Sequence, residues 1–270
     1  KISSILAKFN CNIVESKQFT DQENERFFIR QSFTLFDEKS FFDLEKNLNS
    51  LANELKAVFF LTEIKSSINT VILVSKFDHC LNDLLFRVRN DSLSLNVKAI
   101  ISNHKTAQEI ASFYEIPFYH LPIDKLNKLE QETKIKNIIN KNDVELIVLA
   151  RYMQILSEEF TDQFQGRLIN IHHSFLPSFK GSKPYHQAFE RGVKVIGATA
   201  HYVTKDLDEG PIIEQDTQEV DHEMMPNDLV SMGQDIESRV LYRALKAHSE
   251  SRVFLNGKRT VVFKGHRKLK

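Results

Sequence analysis

The chain has 270 residues, room for one large domain or two ordinary ones, and 41% of them are hydrophobic, enough for well-formed cores. Its 36 basic and 36 acidic residues cancel, which excludes a global field for nucleic acid or an anionic membrane surface. No apolar run approaches the roughly 20 residues of a spanning helix, and the two cysteines, Cys11 and Cys80, lie far apart without metal-ligand spacing, so a reducing cytoplasm is expected, with both as small buried hydrophobes.

In chain order, Ile2, Ile5, Leu6 and Phe9 recur at one helical face. A strand-like run over 12–18, a polar turn over 20–25 and a strand over 26–36 follow, the last placing Phe27, Ile29, Phe33 and Leu35 on one side. Phe41, Leu44, Leu48, Leu51 and Leu55 predict a second helix, and 58–64 a closing strand. The order α-β-β-α-β is a ferredoxin-like βαββαβ unit without its first strand. That strand is central in the topology and the chain opens on Lys1 rather than Met, so truncation is expected. The first domain is drawn at 1–66 and the second at 70–270.

After a polar junction at 66–70 the pattern changes. Val71-Ile72-Leu73-Val74 is a continuous apolar run, as for a parallel strand buried on both faces. A helix through Leu81, Leu84, Leu85 and Val88 follows, then a strand over 97–102. A helix through Ala107, Ile110, Ala111 and Tyr114, a short strand over 117–121, a helix through Ile135, Ile138 and Ile139 and a strand over 144–150 complete the alternation. Right-handed βαβ units in a doubly wound, Rossmann-like sheet are expected. Strands over 168–172, 195–203 and 211–220 and a helix through Leu229, Met232, Ile236, Val240 and Leu245 come next. Two β runs around Asn256-Gly257 predict a closing hairpin, and the basic tail 266–270 reads as a solvated end.

Chemistry concentrates between 167 and 215. Asn170-Ile171-His172 closes a buried strand, and its alternation points Asn170 and His172 the same way, near the carboxyl end where open α/β sheets place ligands. Phe175 to Gly181 forms an irregular loop, and Leu207-Asp208-Glu209-Gly210-Pro211 an acidic turn between apolar strands. A carboxamide N–H stabilises a developing oxyanion, an imidazole moves protons near neutral pH, and a carboxylate orients that imidazole or shares a proton with a water. The set suits acyl transfer from an amide-like donor. The same residues equally fit two turn residues and a satisfied core histidine, and spacing alone leaves both readings open.

Asn170-Ile171-His172-His173-Ser174-Phe175-Leu176-Pro177, then His201-Tyr202-Val203 and Leu207-Asp208-Glu209-Gly210-Pro211-Ile212-Ile213-Glu214-Gln215, closely resemble the motifs of the folate-dependent formyltransferase superfamily. Leu149 to Ser157 resembles its folate-pocket segment. The resemblance implies catalytic roles for Asn170, His172 and Asp208. It also implies folate binding by Met153, Gln154, Ile155 and Leu156 and by Thr204, Lys205, Asp206 and Leu207. Residues 12–15 and 27–30 resemble an ACT regulatory domain, and that fusion, with Val74-Ser75-Lys76 and His79 to Leu85, resembles the deformylase branch.

Within the superfamily the acceptor decides the activity. Transfer to glycinamide ribonucleotide calls for a Gly-rich loop that lets backbone approach a phosphate. Ser75 to Asn82 contains no glycine and an Asp sits where an anion would dock. A methionyl-tRNA formyltransferase would add a C-terminal barrel. The resemblance therefore implies hydrolysis of 10-formyltetrahydrofolate, the substrate, to tetrahydrofolate and formate, supplying formate for purine synthesis; transfer to an amine acceptor, as in phosphoribosylglycinamide formyltransferase, is the alternative. An inactive folate-binding or amino-acid-sensing protein is the non-enzymatic one. No cofactor or metal is expected, because His79, His120, His172, His173 and His201 show no i, i+4 pairing and no nearby Cys/Glu set. A homo-oligomer, an amino-acid effector at the ACT-like unit, and neither nucleic acid nor membrane as partner complete the expectation.

Overall fold

A computed structural model describes residues 1–63, 66–124, 127–177 and 184–265. Ile64, the far half of the 175–181 loop and the basic tail 266–270 lie outside the described residues. The chain divides into two compact units, 1–66 with 263–270, and 67–262.

In the first unit β1 (Cys11–Asp21) and β2 (Arg26–Leu35) pair antiparallel, from Cys11↔Leu35 to Asp21↔Arg26. The Asp21 carboxylate closes their turn by accepting from the backbone N–H of Glu23 (3.0 Å) and Asn24 (3.3 Å). Helices α1 (Ile2–Lys8) and α2 (Phe41–Glu54) bury Leu6, Leu44 and Leu48 with Phe33 and Leu35. Phe33 and Leu35 thus take the expected face, whereas Phe27 at the far end of β2 is 58% exposed. The ten-residue strand is about 33 Å long, and the seven-residue α1 covers only about 10 Å of it. The expected strand over 58–64 is not formed among the described residues: 57–63 pair with no strand.

The second unit is built on a seven-stranded sheet. Its strands are β3 (Ile68–Val74), β4 (Leu95–Ser102), β5 (Phe118–His120), β6 (Leu146–Leu149), β7 (Leu168–His172), β8 (Val195–Tyr202) and β9 (Ile212–Glu219), in spatial order β5-β4-β3-β6-β7-β8-β9. Pairs from β5 to β7 are parallel, while β7–β8 and β8–β9 are antiparallel. The sheet is therefore mixed, with a parallel Rossmann-like part. Helices α3 (His79–Arg89), α4 (Gln108–Phe113), α5 (Lys128–Lys141), α6 (Glu158–Gln163), α7 (Pro184–Glu190) and α8 (Pro226–Ser249) accompany it.

The apolar run of β3 is explained by two cores. Ile72 and Val74 join Leu81 and Leu84 of α3 and Val240 and Leu241 of α8. Val71 and Leu73 face the opposite layer, with Ile135 and Ile139 of α5 and Phe160 of α6. Helices α6 and α7 were not expected; α6 carries Phe160 as its single apolar residue and so displays no helical period. The one local signal was Ser157 followed by two glutamates, and its hydroxyl does cap α6 by accepting from Phe160 N–H (3.2 Å). The hairpin forms as β10 (Val253–Asn256) and β11 (Arg259–Val262), but its two loop residues are Gly257 and Lys258, since Asn256 pairs with Arg259. Among the described residues no helix is long and apolar enough to cross a membrane.

Candidate active site

Because β4 and β6 flank β3, the strand order reverses at β3, and open α/β sheets place ligands beyond the carboxyl ends of strands at such a reversal. Ser75 follows β3, Arg151 follows β6, and His172 ends β7. Asn170 and His172 share a face of β7, and across the antiparallel ladder Asn170 stands opposite His201. Their side chains meet, Asn170 Nδ2 lying 3.3 Å from His201 Nε2. His201 Nδ1 is 2.9 Å from the carbonyl of Tyr202. A carbonyl only accepts, so Nδ1 carries the hydrogen, and in the neutral ring Nε2 accepts from Asn170. Among the described residues one N–H of the Asn170 amide remains for another acceptor.

The turn after β8 carries Asp208 at φ +58, a left-handed conformation that aspartate tolerates. Gly210 lets this turn press on β8: a Cβ there would stand 1.7 Å from the Tyr202 carbonyl oxygen. The result places Asp208 Oδ2 3.2 Å from His172 Nδ1 and Oδ1 3.7 Å from His201 Nε2. Burial pushes the Asp208 carboxyl up, but the hydrogen bond and charge of His172 outweigh it and hold the group well below the usual carboxylate range. His172 Nδ1–H therefore faces an ionised carboxylate. Its buried Nε2 meets no hydrogen-bond partner among the described residues. A buried imidazole oriented on one nitrogen and unoccupied on the other suits proton transfer.

Around this trio, Thr199 and Gln215 hold the loop after β7. Thr199 Oγ1 donates to Ser174 O (2.9 Å) and accepts from Leu176 N–H (3.1 Å); the Gln215 amide donates to Leu176 O (3.1 Å) and Thr199 Oγ1 (2.9 Å). Both lie within segments that resemble the family, Gln215 in 207–215 and Thr199 in 197–203. His173, beside His172 at a ring separation of 5.0 Å, is driven down to about 3 by burial, then by the charge of Arg151.

The expected folate residues lie in two loops. Met153 and Ile155 follow β6 and are 50% and 63% exposed rather than part of a core, while Leu156 packs on the α5–α6 side. Met153 N–H is already engaged by Ser75 Oγ (3.0 Å), so this donor is not open to a ligand. Thr204 to Leu207 form the β8–β9 connection beside Asp208, with Leu207 exposed; Lys205 reaches Glu158 on α6 (3.0 Å).

A second polar cluster escaped the sequence. Glu237, on the buried face of α8, is 0% exposed. Its Oε1 accepts from Tyr185 OH (2.6 Å), and its Oε2 lies 2.7 Å from His79 Nε2 and 3.3 Å from Arg151 Nε. Burial pushes its carboxyl up, but His79, then Arg151, outweigh this and keep it low. Gly233, one turn before, makes room: a Cβ there would stand 2.0 Å from Tyr185 Cζ. The sequence placed no Cys/Glu set near the histidines, and this is corrected, since ligand atoms of His79, Cys80 and Glu237 lie within 4.8 Å of one another. Both Glu237 oxygens are already engaged and Arg151 supplies a cation beside them, which disfavours a metal ion there.

The formyl transferase family matches residues 68–245. A formyltetrahydrofolate deformylase of Corynebacterium sp. (strain P-1) is 45% identical over 97% of this chain and 92% of its own length. The chain belongs to the formyltetrahydrofolate deformylase family. Consistently, the crystal structure of the deformylase from Burkholderia mallei superposes with a TM-score of 0.93 at 44% identity, over 97% of this chain and 93% of that one. A glycinamide ribonucleotide transformylase from Symbiobacterium toebii reaches only 0.69 at 27% identity, covering 77% of this chain and 98% of its own. The likeness to the transformylase thus leaves about a quarter of the chain unmatched, whereas the deformylases match nearly all of it.

Proposed function

We propose that this member of the deformylase family hydrolyses 10-formyltetrahydrofolate to tetrahydrofolate and formate. The observation that carries the mechanism is the His172 imidazole, hydrogen-bonded at Nδ1 to ionised Asp208, with an Nε2 that meets no partner among the described residues. His172 Nε2 takes a proton from water as the water oxygen bonds to the formyl carbon, and the Asp208 carboxylate balances the imidazolium that forms. The free N–H of Asn170 donates to the formyl oxygen as it becomes an oxyanion. Collapse of the tetrahedral intermediate breaks the carbon–N10 bond, and the imidazolium Nε2–H returns the proton to N10. In this reading the chemistry needs no metal and no cofactor, and the exposed 153–156 and 204–207 loops contact the folate.

The same reading makes this a cytoplasmic enzyme that supplies formate for purine synthesis. Residues 1–66 act as an ACT-like regulatory unit that binds an amino-acid effector and pairs with a second copy. Phe27, Phe42 and Phe60, all more than half exposed, support that pairing, since apolar surface of this kind marks an interface. Light scattering of the full chain should give more than one copy; a monomer at tens of micromolar (roughly) would overturn the pairing. Turnover of 10-formyltetrahydrofolate, followed by absorbance with and without glycinamide ribonucleotide, tests the activity. Free formate at an unchanged rate is expected, and a formylated nucleotide would overturn hydrolysis.

A further inference from the structure

Arg151 sits at the reversal point of the sheet, where its carbonyl accepts from Ser75 N–H (3.2 Å). It is only 8% exposed, and its guanidinium lies 5.4 Å from the Phe77 ring centroid. Glu237 Oε2 is at ion-pair distance, 3.3 Å from Nε. That carboxylate gives charge balance, but the contact does not meet hydrogen-bond geometry. Nε and Nη1 of Arg151 consequently meet no acceptor among the described residues. A guanidinium carries only donors, and burying them unpaired costs free energy that an anionic acceptor would recover.

The place of this orphaned cation is informative. His173 feels the charges of Arg151 and Glu237 as well as those of His172 and Asp208, and its ring adjoins that of His172. Arg151 therefore lies next along the same row of polar groups, at the carboxyl ends of neighbouring strands.

We propose that Arg151 is a product-binding residue, receiving formate on its unpaired N–H groups after the carbon–N10 bond breaks. The assignment rests on the hydrolytic reading above. Formate, as the smallest carboxylate, brings acceptor oxygens to a guanidinium flanked by Phe77 and Glu237.

The test uses the full-length protein and sodium formate, with sodium chloride at equal ionic strength as the control. Formate should inhibit deformylation, and calorimetry without folate should show saturable formate binding that chloride does not reproduce. Two variants probe the residue: Arg151→Lys, and Arg151→Met combined with Glu237→Gln, which removes both buried charges together. In each the formate inhibition constant should rise at least about tenfold, as the loss of a charge-assisted hydrogen bond implies, and by more than the folate KM. Equal inhibition of folded variant and wild type would overturn the proposal. So would wild-type protein that responds to formate and chloride alike, which would leave a buried water as the occupant; this arm decides even where a variant fails to fold. Wild-type protein that binds formate but turns over no folate would instead sink the hydrolytic reading.

Discussion

Replacing Asp208 by asparagine tests the core of the mechanism, because it removes one negative charge at nearly constant size. Asparagine also tolerates the left-handed backbone at φ +58, so the turn should survive. The carboxylate faces His172 at 3.2 Å. A carboxylate and an imidazolium with charge centres about 4 Å apart attract by about 4 kcal/mol at an effective dielectric of about 20. The amide keeps part of this through its carbonyl dipole. A net loss of about 3 kcal/mol in the step that charges His172 lowers turnover by about 150-fold, inside the 10²–10⁴-fold range of general acid–base groups (roughly). Absorbance assays should show that fall in kcat, with folate affinity within about tenfold, because uniform binding is untouched. Turnover within about fivefold of wild type would refute the assignment of proton transfer to a His172–Asp208 pair. The pH dependence supplies a sign. The native carboxyl is held low, so its stabilising contribution is present above the unfolded value of about 3.9 and is lost as pH falls through the native one. The stability gap between wild type and Asp208→Asn should be constant near neutrality and close on strong acidification.

Gly210→Ala drives a Cβ into the Tyr202 carbonyl at 1.7 Å; stability should fall by about 1–3 kcal/mol in urea titrations and turnover should drop through displacement of Asp208. Gly233→Ala should displace Tyr185 from Glu237, whereas Tyr185→Phe leaves Glu237 Oε1 without its donor; each should cost about 1–3 kcal/mol, and a neutral Tyr185→Phe would show that the buried carboxylate does not need that bond. His173 and His248 are held neutral, at about 3 and about 4, chiefly by burial. The unfolded chain therefore takes up these protons first as pH falls below about 6.5, and stability should decline from there until the native rings titrate. His248→Gln, which can still accept from Tyr202 OH as His248 Nδ1 does at 2.8 Å, should flatten that decline in pH-dependent melting; an unchanged slope would refute the role of the ring.

The parts of the fold that could be read in advance were those whose cause is local. Continuous apolar runs marked β3 and β6, buried on both faces, and the 3.6-residue period marked α3, α5 and α8. Helix α6 carries one apolar residue, Phe160, and therefore shows no period, and its serine cap is its one local mark. Strand direction has no local signature: nothing in Val195–Tyr202 says that β8 runs antiparallel to β7. The 58–64 segment failed for a related reason, because a strand needs a neighbour and its apolar alternation says nothing about whether one is present.

The candidate site divides the same way. Asn170 and His172 lie two residues apart on one strand, so their common direction follows from the pleat alone, and the motif around Asp208 drew attention to its turn. The sequence by itself determined these residue types and the strand that displays two of them. Tertiary structure decided what they do to one another: the antiparallel β7–β8 ladder sets His201 against Asn170, and the glycine at 210 lets the turn close until Asp208 reaches His172 Nδ1. Glu237 was beyond reach of any local reading, since one glutamate on the buried face of a long helix gains meaning only when His79, Arg151 and Tyr185, from three distant segments, converge on it. Hydrogen bonds and Coulomb attraction depend on separation in space over a few ångströms, and for residues far apart along the chain only the packed fold sets that separation.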